Sequence, residues 1–399
     1  MITANKQIGW LFIAGMLMEA GIMYLTMADQ RSIVSALFAC TFFWILFFFV
    51  KFGYSKKDQY FRQLVIITFI LSILNVLLTG GINGFDYYKK VIMFGCFLFL
   101  LYLSSIYSLN RQQVKWLVLI NFAISLFYIR FYNTAYRMTD EGIMLTLGFA
   151  NPNQTGMFIL NSILYCSIPI AVYRDVRVRW YYLVPFVWVA FSISPYLYFT
   201  ESRACIAAYA VFILLVLLDY IMPRFRITSK AILFLMAIFP LLFAVFYLVE
   251  FSLFENLDLS LGFENGKHSG TRLKMWEFAF NKFFENPILG NYNGISNGTG
   301  ASQMHNIHVD VLASYGIFSF ILYVNVLYKA LKNLTDKQKC RFNRVAFYAF
   351  IACLISGTFE ASLVAGGLGL YILSCGFILL ANANIEGNSN ITTVSSKRL

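Results

Sequence analysis

Long apolar stretches alternate with short polar connections along almost the whole chain. About twelve of these stretches reach roughly 18 to 25 residues, the length at which an α-helix crosses the hydrocarbon core of a bilayer. They are predicted at 10–28, 32–50, 63–80, 91–109, 114–132, 155–173, 180–199, 203–222, 230–250, 306–328, 345–363 and 366–383. The pattern predicts an all-α polytopic membrane protein in which the short connections favour antiparallel neighbouring helices.

One polar segment, about 251–305, is much longer than the others and contains a helical repeat. Between Thr271 and Glu285 the apolar residues share one face and the polar residues the other. The apolar face comprises Leu273, Trp276, Phe280, Phe283 and Phe284. Such an amphipathic helix is expected to lie along the membrane surface. We therefore divide the chain into spans one to nine (1–250), this loop (251–305), spans ten to twelve (306–384) and a tail (385–399).

Composition and charge agree with this topology. The chain is 59% hydrophobic and 13% charged, and soluble domains carry about twice that charged fraction. Most Lys and Arg residues fall in one alternate set of connections and most acids in the other, which predicts cytoplasmic termini and an outer 251–305 loop. The net charge of +12 therefore requires no nucleic-acid partner. Because residues 1–9 hold a single Lys and the first span carries Glu19, this span is expected to be an anchor, not a cleaved signal.

Two arginines on the outer side stand where a cation is unfavourable. Arg272 falls beside Trp276 and Phe283 in the first turn of the amphipathic helix, as either a snorkelling side chain or an anion ligand. Arg203 follows Ser202 at the start of span eight, where the helix dipole opposes a positive charge. It could pair locally with Glu201, or it could share a phosphate ligand with Arg272. The planar guanidinium suits the second role because it grips phosphate oxygens with two hydrogen bonds.

The three histidines of the chain lie in or at the end of the long loop. His305, before span ten, is a candidate general base, because neutral imidazole accepts a proton near pH 7. His308 lies one turn deeper and is expected to support the site from behind. A metal site with His268 and Asp310 is a further possibility, although no recognised zinc spacing is present. A third interpretation is that these are ordinary interfacial histidines.

Other polar residues allow two interpretations each. Asn151-Pro152 is typical of a helix N-cap and N1 pair, so it could simply begin span six. Alternatively, Asn151, Asn153 and their neighbours could bind sugar hydroxyls. Glu19 and Glu360 fall inside predicted spans, where an acid is either functional, as in a proton relay, or paired between helices.

Four motifs follow one another over about residues 148–320. They are Asn-Pro-Asn at 151–153, Ser202-Arg203, Gly270-Thr271-Arg272 continuing to Trp276, Asn286-Pro287 and Gly290, and His305-Asn306 followed by Leu312 and Gly316. Together with the large outer loop before the last three spans, these motifs resemble the O-antigen ligase and Wzy-type polysaccharide polymerase superfamily of bacterial inner membranes.

The resemblance implies a GT-C-like, metal-independent, inverting glycosyltransferase of the bacterial inner membrane that needs no cofactor. Its donor would be a glycan on undecaprenyl pyrophosphate. By matching positions, Arg203 and Arg272 would hold the pyrophosphate and His305 would deprotonate the acceptor, while Asn151, Asn153, Asn306 and His308 would bind substrate. We favour a polymerase that joins lipid-linked repeats, with a ligase that transfers finished glycan as the alternative. A flippase and a chain-length regulator are the partner proteins that the resemblance implies.

A flippase or secondary transporter is the main alternative outside this superfamily. It would be favoured by inverted repeats and broken helices in corresponding halves. The sequence shows neither feature, and the large loop follows span nine instead of the midpoint. The transporter therefore ranks below both transferases.

Overall fold

The computed structural model of the chain describes residues 7–18, 31–79, 84–131, 136–139, 142–145, 152–173, 180–200, 202–222, 226–239, 241–242, 268–292, 295, 304, 306–336, 338, 340–359 and 368–385. Within them, each predicted apolar stretch overlaps a helix, and the amphipathic segment forms a helix of its own. In chain order the helices are α1 (Gln7–Met18), α2 (Arg31–Phe52), α3 (Gln59–Thr79), α4 (Gly84–Ile106), α5 (Arg111–Phe131), α6 (Pro152–Ala171), α7 (Val184–Phe199, after the 3-10 turn Trp180–Leu183), α8 (Arg203–Ile221), α9 (Ser229–Leu233, continued by the π-helical turn Phe234–Ile238), α10 (His268–Glu285), α11 (Ile307–Thr335), α12 (Arg341–Phe359) and α13 (Leu368–Ala381).

Several of these helices could cross a bilayer. Four in the described part of the chain are long and apolar enough: Gln59–Thr79, Trp180–Phe199, Arg203–Ile221 and Ile307–Thr335. Shorter apolar helices accompany them, among them Lys90–Ile106 and Thr155–Ala171. The protein is therefore a helical membrane protein.

A short β-hairpin lies in the connection between α5 and α6 of this otherwise helical protein. Strands β1 (Tyr136–Thr139) and β2 (Gly142–Leu145) pair antiparallel, with Tyr136 opposite Leu145, and β2 packs against α6 and α7. Each strand has four residues, which is too short for the alternation of apolar and polar residues to stand out from chance.

Asparagine side chains fix which helix ends lie together at one end of the bundle. Asn382, just after α13, donates from Nδ2 to the carbonyl of Ser104 near the end of α4 (2.9 Å). Asn343, near the start of α12, donates to the carbonyl of Ala383 (3.0 Å). The ends of α4 and α13 and the start of α12 therefore share one end of the bundle.

The opposite end of the bundle brings together the starts of α4, α6, α8 and α11, and we call it the site end. Because α12 begins at the other end, it finishes here, where the Ser356 hydroxyl lies 3.3 Å from the Cys205 thiol of α8. The same hydroxyl lies 2.5 Å from the Met157 sulfur near the start of α6. Lys90 near the start of α4 pairs with Asp310 in the first turn of α11.

Candidate functional site

The start of α11 is fixed by an asparagine cap. Asn306 has extended backbone angles (φ −157°, ψ 115°), and its Oδ1 accepts hydrogen bonds from the backbone N–H groups of His308 (2.9 Å) and Val309 (3.1 Å). An N-cap of this kind satisfies donors that have no partner within the helix. Asn306 is fully buried. His305, which directly precedes this cap, lies outside the described residues.

The amphipathic helix α10 is docked onto the same point. The indole Nε1 of Trp276 donates to the carbonyl of Met304 (2.8 Å), the residue that precedes His305. Around this bond lies a separate apolar cluster made by α10, the start of α11 and the segment between them. Its buried members are Trp276, Ala279, Phe280, Ile295, Met304, Val309, Leu312 and Ala313. The residues on both sides of His305 are therefore held, one by a cap and one by α10.

The helix that carries Arg272 begins earlier than the sequence indicates. It starts at His268, so Arg272 is the fifth residue and not part of the first turn. The backbone N–H groups without a helical partner belong to the first four residues of a helix. The prediction that Arg272 lies in the first turn, where these groups and the helix dipole attract anions, is therefore wrong. The side chain of Arg272 is outside the described residues, but its backbone lies one turn before Trp276. The apolar face is confirmed at Trp276 and Phe280, whereas Phe284 is 69% exposed.

Two glycines allow the segment after α10 to cross α11 in direct backbone contact. Gly316 breaks the helical geometry of α11 (φ 77°, ψ 175°), and Gly290 has the same positive φ. A Cβ at position 290 would lie 2.5 Å from the Gly316 nitrogen. Backbone bonds repair the break in α11, since Ile317 N–H donates to the Pro287 carbonyl (3.0 Å) and Asn291 N–H to the Ala313 carbonyl (2.8 Å). The crossing fixes the far end of α10 to α11.

A buried ion pair stabilises the start of α11 from the side of α4. Lys90 Nζ lies 2.5 Å from Asp310 Oδ1 and also donates to the Ser314 hydroxyl (3.1 Å). The ammonium group is 5.8 Å from the ring centre of Tyr292. Asp310 is fully buried and Lys90 is 9% exposed. The charge of each residue is therefore balanced by the other in a region that water barely reaches.

The starts of α6 and α8 form a second part of the site end. A Cβ at Gly156 would lie 2.7 Å from the Ser202 Cβ, so the two helices approach closely only because this residue is glycine. The contact places the start of α6 beside the start of α8, whose first residue, Arg203, is half-buried. Asn151 and the side chain of Asn153 lie outside the described residues.

His308 points into the bundle. It is 1% exposed, and its Nδ1 lies 3.5 Å from the hydroxyl of Tyr323, four turns further along α11. This placement is compatible with a supporting role behind His305. Direct contact with a substrate stays a prediction. Glu19, Glu201 and Glu360, and the side chain of His268, are outside the described residues.

The structure also shows contacts at the site end that the sequence analysis missed. Lys90 stands at the edge of a predicted span, and a charged residue at that depth could have been recognised as a functional candidate. Asn75 of α3 is buried and donates to the Tyr315 carbonyl (2.5 Å) beside the Gly316 break. No local pattern pointed to that bond, because its partners are 240 residues apart.

Comparison with known proteins finds a family match in this part of the chain. Residues 187–324 match the family model described as O-antigen ligase. This segment runs from α7 into α11 and contains Arg203, Arg272 and His305. The chain is also 28% identical over 103 residues to a Rickettsia conorii protein provisionally described as a polysaccharide ligase. That match covers 22% of this chain and 25% of the relative, so the chain matches about a quarter of the relative's length.

No solved structure matches the chain. The class defined by the fold and the family match is that of a helical membrane protein with an O-antigen ligase-like segment. The resemblance of the chain to the O-antigen ligase family is thereby confirmed over residues 187–324.

Proposed function

We propose that the protein is a membrane glycosyltransferase of polysaccharide assembly, and specifically an O-antigen or capsule polymerase. It transfers a glycan from undecaprenyl pyrophosphate to a second lipid-linked repeat unit. The observation that carries the proposal is the Trp276–Met304 hydrogen bond of 2.8 Å. This bond joins the helix that contains Arg272 to the residue before His305, and it supports a site in which the proposed anion ligand and the proposed base act together.

In the proposed topology the chain crosses the bacterial inner membrane twelve times in a GT-C-like arrangement, with cytoplasmic termini. The site end faces outward, and α10 lies along the outer surface above the bundle. The distribution of basic residues supports this orientation. So does the shared placement of the starts of α4, α6, α8 and α11, because the proposed substrate ligands then fall at one membrane face.

The proposed chemistry is a single inverting displacement without a metal ion. His305 removes the proton of the acceptor hydroxyl as its oxygen attacks the anomeric carbon from the side opposite the pyrophosphate. A general base of this kind contributes typically 10²–10⁴-fold to the rate. Arg203 and Arg272 stabilise the negative charge that develops on the departing pyrophosphate. Asn151 and Asn153 bind sugar hydroxyls.

The proposed roles of the remaining two residues depend on α11. Asn306 caps α11 beside the acceptor and is our candidate for a substrate contact there. His308 supports the base from the inner side, where the Tyr323 hydroxyl limits the orientation of its ring (3.5 Å). Both assignments rest on the position of these residues directly after His305.

A ligase that transfers finished glycan to another acceptor is the second candidate. Two observations favour it: the matching family model is described as O-antigen ligase, and the Rickettsia conorii relative is provisionally described as a polysaccharide ligase. Polymerase and ligase would use the same donor and the same residues. They differ in the acceptor and therefore in the intermediate that accumulates when the enzyme is inactive.

The test is a glycan gel on the native host with the gene deleted and complemented by wild type, Arg272→Ala or His305→Ala. Lys282→Ala is the matched control, because Lys282 is a cation on the same helix that pairs at the surface with Glu285 (2.6 Å). Loss of the ladder with retained single-repeat product in both variants indicates a polymerase. Accumulation of long lipid-linked glycan indicates a ligase. An unchanged ladder at normal protein level contradicts both and favours the transporter.

A further inference from the structure

A cavity of about 320 Å³ with both polar and apolar walls lies at the end of the bundle opposite the site end. It is formed where α2 and α4 end and the chain turns toward α3. Lys51, Ser55, Asp58 and Tyr107 contribute its polar groups. A volume of this size is at the lower limit of ligand pockets in proteins.

An apolar groove of about 310 Å³ adjoins this cavity. It runs between α1 and α2, and its walls are mainly aromatic. Trp10 and Phe47 line it and are 45% and 52% exposed. Lys51 and Phe52 line both spaces, so the cavity and the groove lie on either side of the same two residues or meet at them.

Two tyrosines keep the cavity in shape. The Tyr102 hydroxyl of α4 donates to the Gly53 carbonyl (2.7 Å), and the Tyr107 hydroxyl donates to the Phe52 carbonyl. These bonds satisfy carbonyl groups at the end of α2 that have no helical partner. The cavity is thus formed by fixed groups before any ligand enters.

Lys51 and Asp58 are the charged residues that line the cavity, and further basic residues lie in the turn beside it. Lys56 and Lys57 lie in this turn, and Arg62 stacks over Tyr54, which is also a lining residue (5.8 Å). Asp58 is the acid in this turn, and it already accepts a hydrogen bond from the Ser55 hydroxyl (2.9 Å). Basic residues beside interfacial aromatic residues are typical of sites for anionic lipid headgroups.

We propose that the cavity and the groove together bind one anionic phospholipid of the surrounding membrane. Its phosphate lies in the cavity beside Lys51, and an acyl chain lies in the groove between α1 and α2. The cavity offers a lysine and hydroxyl groups to the headgroup, and the neighbouring groove offers an apolar surface to the acyl chain. This lipid site is separate from the proposed transferase site, since α2 and α4 end opposite the site end.

Native mass spectrometry of the full-length detergent-purified protein tests the proposal, with phosphatidylglycerol and phosphatidylcholine as the added probes. The variants are Lys51→Gln, which removes the cation, and Ala14→Phe, which fills the groove. Lys115→Gln is the matched control, because Lys115 is an exposed lysine near the start of α5, at the same end of the bundle. A lysine near a headgroup contributes about 1 kcal/mol, so we expect about fivefold weaker phosphatidylglycerol binding in Lys51→Gln.

Each outcome distinguishes the proposal from general lipid adhesion. The proposal requires that wild type prefers phosphatidylglycerol, that Lys115→Gln binds as wild type does, and that Ala14→Phe weakens binding of both lipids. Equal affinity of wild type for the two lipids, or an unchanged preference in Lys51→Gln, overturns it. Because Lys51 is exposed, loss of fold does not explain a result for Lys51→Gln even if Ala14→Phe fails to fold.

Discussion

Lys90 and Asp310 form a buried ion pair between α4 and α11, with 2.5 Å between Nζ and Oδ1. Asp310 is five residues after His305, in the turn that Asn306 caps. The pair therefore connects the first turn of α11 to the second turn of α4, shortly after the proposed base in the chain. A buried pair contributes little compared with apolar residues of equal size, but an unpaired buried charge is very unfavourable.

Substituting Lys90→Met should therefore destabilise the protein by about 3 to 5 kcal/mol, because Asp310 would remain buried without its partner. The measurement is thermal unfolding of the purified protein in detergent. The double variant Lys90→Met/Asp310→Leu should recover most of the loss, since both charges are then absent. Equal stability of wild type and Lys90→Met would contradict this account of the pair.

The apolar stretches of the sequence predict the helices well, because stretches of membrane-spanning length dominate the pattern. The amphipathic helix is predicted to begin at Thr271 but starts at His268. His268, Ser269 and Gly270 extend the helix without adding to its apolar face, so the periodicity does not reveal them. The end at Glu285 agrees, because Asn286-Pro287 is a local stop signal.

Long-range contacts of the candidate site could not be predicted from the sequence. Lys90 and Asp310 are 220 residues apart, and no local pattern relates two such positions. Gly290 is part of the local stop signal after the amphipathic helix and Gly316 belongs to the family resemblance, but the need for a glycine at each position is visible only where the two backbones cross. The positions of Arg203, Arg272 and His305 at one membrane face, by contrast, follow from counting spans, and they stay a prediction.

Gly316→Ala tests the backbone crossing. A Cβ at this position would lie 2.2 Å from the Ile288 carbonyl oxygen, and a non-glycine residue at positive φ costs about 1 to 3 kcal/mol. We expect at least that loss of unfolding free energy, measured by thermal unfolding in detergent. Phe318→Ala, two residues further along α11 and 55% exposed, is the control that should change stability much less. If both variants unfold alike, the crossing is not a rigid contact.

Trp276→Phe isolates the hydrogen bond that joins α10 to the segment before His305. Phenylalanine retains most of the apolar contact and loses the indole donor, so the buried Met304 carbonyl remains without that partner. Loss of one such bond costs about 1 to 3 kcal/mol. We therefore expect a several-fold lower initial rate of glycan transfer by purified protein with a lipid-linked donor. The control is Phe284→Leu, on the exposed side of α10, which should transfer glycan at the wild-type rate. A wild-type rate in Trp276→Phe would show that the hydrogen bond is not needed for transfer.

Two variants of Asn306 distinguish its role as the cap of α11 from a role as a substrate ligand. Asn306→Ala removes the acceptor for the N–H groups of His308 and Val309 and should cost about 1 kcal/mol of stability. Asn306→Ser retains a capping oxygen but loses the amide, so its unfolding temperature should stay near that of wild type. The rate of glycan transfer by Asn306→Ser, compared with that of wild type, then tests whether Asn306 also contacts the substrate. If the amide contacts the acceptor sugar, Asn306→Ser loses activity while its helix cap remains; if Asn306 is only a cap, Asn306→Ser is as active as wild type.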